Sequence, residues 1–522
     1  MSLATLPVLL AGPVAFLILS LIGARQSGLR PAVTLRMARW SAFVGLVSAV
    51  AAVALLAIDG PTTSPLIGWE GIGLSVRLDL VSVSLYGLIA FVGFVVLRFS
   101  ENYLDGDARQ GEFLGGLGLA LATVMLLVTA GNVAQLVAAW VATSLALHPL
   151  LVFYREREKA QRAALKKFLI ARVSDVALIA AAVILVSTYG TTDIATLLAD
   201  ANAGKGEGST GLAWAGVGLV VAAILKSAQF PVHGWLTEVM ETPTPVSALL
   251  HAGIVNAGGF LIVRFADVIL LAGPALHILA LIGGFTALLG GLAMLTQTSV
   301  KVSLAWSTVS QMGFMLLQCG IGLFSLALLH ILAHSLYKAH AFLSAGDAVR
   351  IQTSVPSAAD ERPGLPHALV GLVLALGLYA GLGTLFDRFA AITPQALALG
   401  SILVMGLTLL LARSSAGRPQ AAVWGRGLVA ALGVSLVYFA LQSGTAALAA
   451  GQLPPPPALD TLGAAILGLA VGTFLLVTLV QVAGARASRH PIWTALRIHL
   501  AGGLYANALF DRLLGSRRAS AG

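Results

Sequence analysis

The sequence predicts an all-α polytopic membrane protein with about fifteen transmembrane helices. Three observations carry that expectation. First, 58% of the 522 residues are hydrophobic and only 10% are charged, where a soluble chain carries about a quarter. Second, apolar runs of bilayer-spanning length recur along almost the whole chain, and in lipid a helix satisfies its own backbone. Third, the basic residues fall in alternate loops. Arg25, Arg30, Arg36 and Arg39 follow the first run; Arg155, Arg157, Lys159, Arg162, Lys166 and Lys167 follow the fifth; Arg413, Arg418 and Arg426 follow the thirteenth. The intervening loops are poor in Lys and Arg, which sets the basic side as cytoplasmic, the N-terminus outside and the C-terminus inside.

In chain order the expected spans are residues 6–23, 39–58, 78–98, 113–130, 133–153, 168–188, 211–230 and 245–264, then 268–294, 302–320, 323–346, 367–385, 394–412, 427–449 and 461–484. No cleavable signal is evident, and the first run reads as a retained span. The net charge of +9 is accounted for by these loops, so nucleic acid is not an expected partner. The single cysteine, Cys319, excludes an intrachain disulfide, a Cys-based iron–sulfur cluster and a Cys-rich zinc site. Gly71-Ile-Gly73 and Gly116-Leu-Gly118 lack the third glycine and the strand-to-helix context of a dinucleotide site. Residues 486–522 form a basic amphipathic tail, either a helix on the cytoplasmic membrane surface or a docking element.

Ionisable residues inside spans are costly and mark function. Lys226 lies in the seventh span, just before Pro231, whose missing N–H breaks the helix and exposes backbone polar groups to an ion or water. The alternative is a lysine snorkelling to the surface. In the eleventh span His330, His334 and Lys338 recur every four residues on one stripe, as a proton relay, a structural hydrogen-bonded row or a two-histidine metal site. His251 closely follows the Pro243-Thr244-Pro245 break, and Asn256 lies beyond it. Arg172 and Asp175 can pair one turn apart. Lys301 opens the tenth span as an interfacial or relay lysine.

The segments Lys226-Ser227-Ala228-Gln229-Phe230-Pro231, Trp235-Leu236 and Met240-Glu241-Thr242-Pro243-Thr244-Pro245-Val246-Ser247-Ala248-Leu249-Leu250-His251-Ala252 resemble the signature of antiporter-like subunits. Such subunits occur in respiratory complex I, Mrp cation/proton antiporters and membrane hydrogenases. Arg172 to Val176, Ser307 to Gly313 and Tyr337-Lys338-Ala339-His340 add to the likeness, which is strong over about residues 70–350. The resemblance implies two inverted five-helix repeats with broken helices in spans seven and twelve. It divides the chain into N-terminal helices (1–110), a first repeat (111–265), a second repeat (266–412), C-terminal helices (413–485) and the tail (486–522). It also implies that Lys226 is the central lysine of the first half-channel, that Lys338 and His334 form the connecting relay and that His251 is a relay histidine.

Two departures stand out. The family's glutamate after the span-five tryptophan is replaced, since Val141 follows Trp140, with His148 further along. The family's lysine in span twelve is missing; Gly377, Gly381 and Gly383 loosen that segment, and Asp387 and Arg388 come only at its end. With these departures, the Glu241-Thr242-Pro243-Thr244-Pro245 wording and the His330 to Gly346 segment, the chain looks most like the DabB-type membrane subunits of bacterial inorganic-carbon accumulation systems. That resemblance implies no cofactor in this chain and zinc in a soluble, carbonic-anhydrase-like DabA partner on the cytoplasmic face. Ion flow, H⁺ rather than Na⁺ on the evidence of lysine and histidine relays, would energise hydration of CO2 by that partner. The chain itself is then a coupling subunit of the bacterial inner membrane rather than an enzyme. The alternative is a subunit of a cation/proton antiporter or redox-driven pump. His233, Trp235, Glu238 and Glu241, with Trp493 and Arg497 of the tail, are the expected docking surface.

Overall fold

The computed structural model describes residues 5–26, 28–346, 364–386, 393–415, 421–487 and 491–513. Helices α1 (Thr5–Gly23) and α2 (Ala32–Asp59) open the chain. Two short antiparallel pairs follow: β1 (Thr62–Thr63) with β4 (Arg77–Leu78), and between them β2 (Ile67–Trp69) with β3 (Ile72–Leu74). Then come α3 (Leu80–Tyr103), α4 (Gln110–Val128), α5 (Val133–Leu151), α6 (Glu158–Tyr189), α7 (Ile194–Asn202) and α8 (Thr210–Lys226). After a break the chain continues as α9 (Gly234–Glu238), α10 (Thr244–Ala252), α11 (Ala257–Arg264) and α12 (Ala266–Leu271). Three long helices follow, α13 (Pro274–Met294), α14 (Val300–Gly320) and α15 (Phe324–Leu343). The rest is α16 (Leu365–Phe386), α17 (Pro394–Ser415), α18 (Ala421–Ala449), α19 (Thr461–Ala487), α20 (Pro491–Ala501) and α21 (Ala506–Leu513).

Each expected span falls on a helix or a pair of helices. Thirteen stretches among the described residues are long and apolar enough to cross a membrane, with α10 and α11 taken together. α8 is shorter, at 17 residues, and α14 is diluted by Lys301, Ser307, Gln311 and Gln318. One expectation is corrected: α16 is a continuous helix from Leu365 to Phe386, not a broken one. Its glycines do not interrupt it because Gly377 and Gly381 meet open space, and its one proline, Pro366, sits in the first turn, where no helical N–H bond is lost. Asp387, Arg388 and Arg418 lie outside the described residues.

One continuous core runs from α1 to α15, with α4 at its centre. α13 and α14 approach so closely that a Cβ on Gly313 would lie 2.7 Å from the Gly283 carbonyl oxygen, the small-residue contact by which membrane helices gain van der Waals energy. α16, α17 and α18 share a smaller cluster around Ala375, Leu407 and Ala431, and they leave Leu369, Val373 and Val429 exposed to lipid.

The end that carries the strands is also capped by a buried charge cluster. Asp79 caps α3, accepting from Ser82 N (2.8 Å) and Oγ (2.6 Å). The same carboxylate pairs with Arg77 and, at the end of α11, with Arg264, whose Nη2 is 3.2 Å from Oδ1. A buried carboxylate between two guanidiniums is secure only while all members are present. Asp79→Ala, leaving Arg264 uncompensated, is expected to cost about 3–5 kcal/mol. A thermal melt of the purified protein should show a clear drop in Tm. Arg30→Ala, which removes an exposed pair with Asp105, should leave it unchanged.

Candidate functional site: a polar path through broken helices

α8 ends on Lys226. Ser227 N–H closes the last turn on Ala223 O (2.9 Å), and the chain then leaves the helix through Ala228 at a φ of 51°. Side chains take up the backbone groups that the break frees: Gln229 Nε2 donates to Ser227 O (2.8 Å), and Phe230 N–H donates to Thr286 Oγ1 (3.2 Å). Lys226 is 5% exposed. Its Nζ donates to the Trp140 carbonyl of α5 (3.2 Å) and sits 4.4 Å from the Trp140 ring centroid, a cation–π contact that desolvation strengthens. The carboxylate acting on it is Asp175 of α6. Arg172 Nη2 lies 2.8 Å from Asp175 Oδ2 as an ion pair without hydrogen-bond alignment, and the Trp140 side chain interacts with the same carboxylate.

A second break faces the first. α10 stops at Gly253, and Asn256 Nδ2 turns back to Ala252 O (3.1 Å). Ser227 Oγ donates to Val255 O (2.9 Å), and Asn256 Nδ2 also reaches Ser335 Oγ of α15 (2.8 Å). This closeness needs Gly258, where a Cβ would lie 2.3 Å from Ser227 Oγ and 2.4 Å from Ala223 O. His251 Nδ1 is 3.0 Å from Thr308 Oγ1 of α14, and the ring stacks on Phe342 at 4.3 Å.

The histidine row of α15 continues the path. His330 and His334 have ring centroids 6.0 Å apart. His330 Nδ1 contacts Gln318 Oε1 (2.9 Å), and His334 Nε2 is buried without a partner. Lys338 Nζ donates to Leu304 O (3.0 Å) and Ser307 Oγ (2.8 Å). Lys301 Nζ donates to Thr244 Oγ1 (3.2 Å). A cavity of about 830 Å³ between α14, α15, α17 and α18 is lined by His330, His334 and Tyr438. Among the described residues, no three His, Cys, Asp or Glu side chains converge as a metal site.

The expected docking residues fall differently. Lys166 Nζ lies 2.6 Å from Glu238 Oε2, 2.6 Å from Asp511 Oδ1 and 2.9 Å from Asn507 Oδ1, and Asn507 also bonds Glu238. Gly503 lies against Trp306 and His233. His233 and Trp235 are therefore buried within the chain, 1% and 4% exposed, and cannot present a free surface. The carbonyl of Glu241 accepts from Arg157 (2.6 Å). Trp493 is half-buried and Arg497 exposed on α20, which packs on α13. Lys166, Asn507 and Asp511 escaped the sequence reading because they sit among ordinary loop and tail charges. Lys166→Ala should release α21, and limited trypsinolysis at Arg512 should accelerate severalfold; unchanged cleavage would remove Lys166 as the anchor.

Residues 130–363 match the transmembrane family of NADH:quinone oxidoreductase and Mrp antiporter subunits. The chain is 37% identical, over 85% of its length and 80% of the relative's, to the probable inorganic carbon transporter subunit DabB2 of Halothiobacillus neapolitanus. It is 39% identical to the probable subunit DabB of Hydrogenovibrio crunogenus, over 73% of each chain. Its fold matches a chain of the Mrp complex from Dietzia sp. DQ12-45-1b with a TM-score of 0.66 at 23% identity, covering 99% of this chain and 61% of that one. The protein is thus a multi-pass bacterial membrane protein that belongs to the DabB family of inorganic carbon transporter subunits.

Proposed function

We propose that this chain is the proton-conducting membrane subunit of an inorganic-carbon accumulating complex. It couples the ion motive force to CO2 hydration and bicarbonate accumulation by a soluble, zinc-bearing, carbonic-anhydrase-like partner on the cytoplasmic face. The zinc belongs to the partner, and this chain supplies no cofactor. The observation that carries the reading is the line of buried ionisable groups running from Lys226 and Asp175, past the facing helix breaks, to His334 and Lys338. An ionisable side chain inside a bilayer is retained for a path or a relay, and lysine and histidine suit protons.

Each group has a role in this scheme. Lys226, held on the Trp140 carbonyl, alternates charge with Asp175. Ser227, Asn256 and Ser335 link the two breaks by hydrogen bonds. His251 and the α15 row pass protons through their ring nitrogens and Lys338. The unbroken α16 carries no lysine, which sets the chain apart from the two-lysine pattern of redox pumps and favours a coupling subunit over the antiporter alternative. The driving force is adequate. A charge falling through 100 mV releases about 2.3 kcal/mol, enough for a bicarbonate gradient of roughly forty-fold at about 1.4 kcal/mol per decade.

The test is growth in ambient air of a bacterium lacking carbonic anhydrase, expressing this chain with its soluble genomic neighbour. The pair should rescue growth, an uncoupler should abolish the rescue, and Lys226→Ala should abolish it without loss of the assembled complex. A well-expressed complex that gives no rescue, together with salt tolerance conferred by the chain, would move the assignment to a cation/proton antiporter.

A further inference from the structure

α5 carries Trp140, Ser144 and His148 at intervals of four, one stripe of a helix. Each of the first two positions holds a buried lysine. Lys226 donates to Trp140 O (3.2 Å), and Lys167 of α6 donates to Ser144 O (2.8 Å) and Ser144 Oγ (2.9 Å). Lys167 is 4% exposed, and no carboxylate is in contact with it. It lies within electrostatic reach of Lys226, Arg172 and Asp175 on one side and of His148 on the other.

The third position opens outward. His148 packs edge-on against Phe168 at 5.6 Å. It lines a cavity of about 830 Å³ between α4, α5 and α6, with Arg109, Glu112, Arg155 and Arg162 around it. The Nδ1 of His148 is buried and has no partner. Every lining element meets the cavity at its basic-loop end, the side that charge assigns to the cytoplasm.

We propose that this cavity is the cytoplasmic mouth of the ion path and that His148 is its terminal proton carrier. The inference rests on the proton-conducting reading above. A proton leaving Lys226 and Asp175 moves to the neutral amine of Lys167. The Lys167 ammonium then protonates one ring nitrogen of His148, and the other nitrogen releases its proton to a base in the cavity. Lys167 ends as it began, His148 ends in its other tautomer and is reset by proton exchange with water in the cavity, and one proton has crossed. Arg162 is paired with Glu158 (3.3 Å), which leaves Arg109 and Arg155 against Glu112 and makes the mouth attractive to anions, so the accepting base is an oxyanion of the phosphate class drawn from the cytoplasm. His148 thus stands as the outlet of a chain whose span-five carboxylate is replaced by Val141.

His148→Cys tests the geometry without requiring transport, because the native Cys319 is fully buried. In membrane vesicles of the full complex, membrane-impermeant methanethiosulfonates should label position 148 from the cytoplasmic side, and the anionic reagent should react severalfold faster than the cationic one. Labelling only from the outer side, or none, overturns the proposal. His148→Gly tests the chemistry in proteoliposomes of the complex carrying a pH-sensitive dye. Proton flux should fall at least tenfold and recover when imidazole is added on the cytoplasmic side, whereas Lys226→Ala should not recover. A His148→Gly complex that conducts like the wild type overturns the assignment of His148 alone. A wild-type complex that conducts no protons overturns the functional reading instead, and the labelling result stands apart from it.

Discussion

The need to hold an ammonium group in the bilayer interior governs the rest of this structure. A lysine at mid-membrane costs about 2.5–3.5 kcal/mol on insertion scales, so Lys226 needs acceptors that an unbroken apolar helix does not offer. The Trp140 carbonyl and indole face supply them from α5. Ending α8 at Lys226 then requires Gln229 and Thr286 to take up freed backbone groups. It also brings Ser227 against the second break, an approach that only a glycine at 258 permits. The two helix breaks therefore form one feature, joined by hydrogen bonds and placed where the helices that carry ionisable groups converge.

Residues whose chemistry conflicts with their setting were legible in the sequence. Lys226 before Pro231, the His330, His334 and Lys338 stripe and the Arg172–Asp175 pair are conspicuous because charge is expensive in an apolar run, and the structure buries Lys226, Asp175, His334 and Lys338 in the interior. α8 and α14 are the expected spans that fall short of the length and apolarity of an ordinary spanning helix. Both carry polar groups that hydrogen-bond across to neighbouring helices, so the polarity that weakens them as spans is used inside the bundle.

Residues whose chemistry agrees with their setting were not legible. Lys166 and Lys167 read as topology-setting charges in a basic loop, and nothing in the sequence separates them from Arg162 or Lys159. Only the fold turns one toward Glu238 and Asp511 and buries the other against Ser144. Asn507 and Asp511 are ordinary polar residues of an amphipathic tail until α21 folds back under α9. The α16 expectation failed for a related reason. Three glycines loosen a helix on paper, but with its only proline in the first turn the backbone keeps its own hydrogen bonds, and the surrounding lipid offers no alternative.

Lys166 and Lys167 are consecutive on one straight helix, and successive α-helical residues point about 100° apart. One is gripped from the water side by the tail and the α9 segment; the other is gripped from within by α5. Neither grip can be tightened by turning α6 without loosening the other. Two neighbouring lysines held from different sides thus fix the rotation of α6, one through the tail and one through α5.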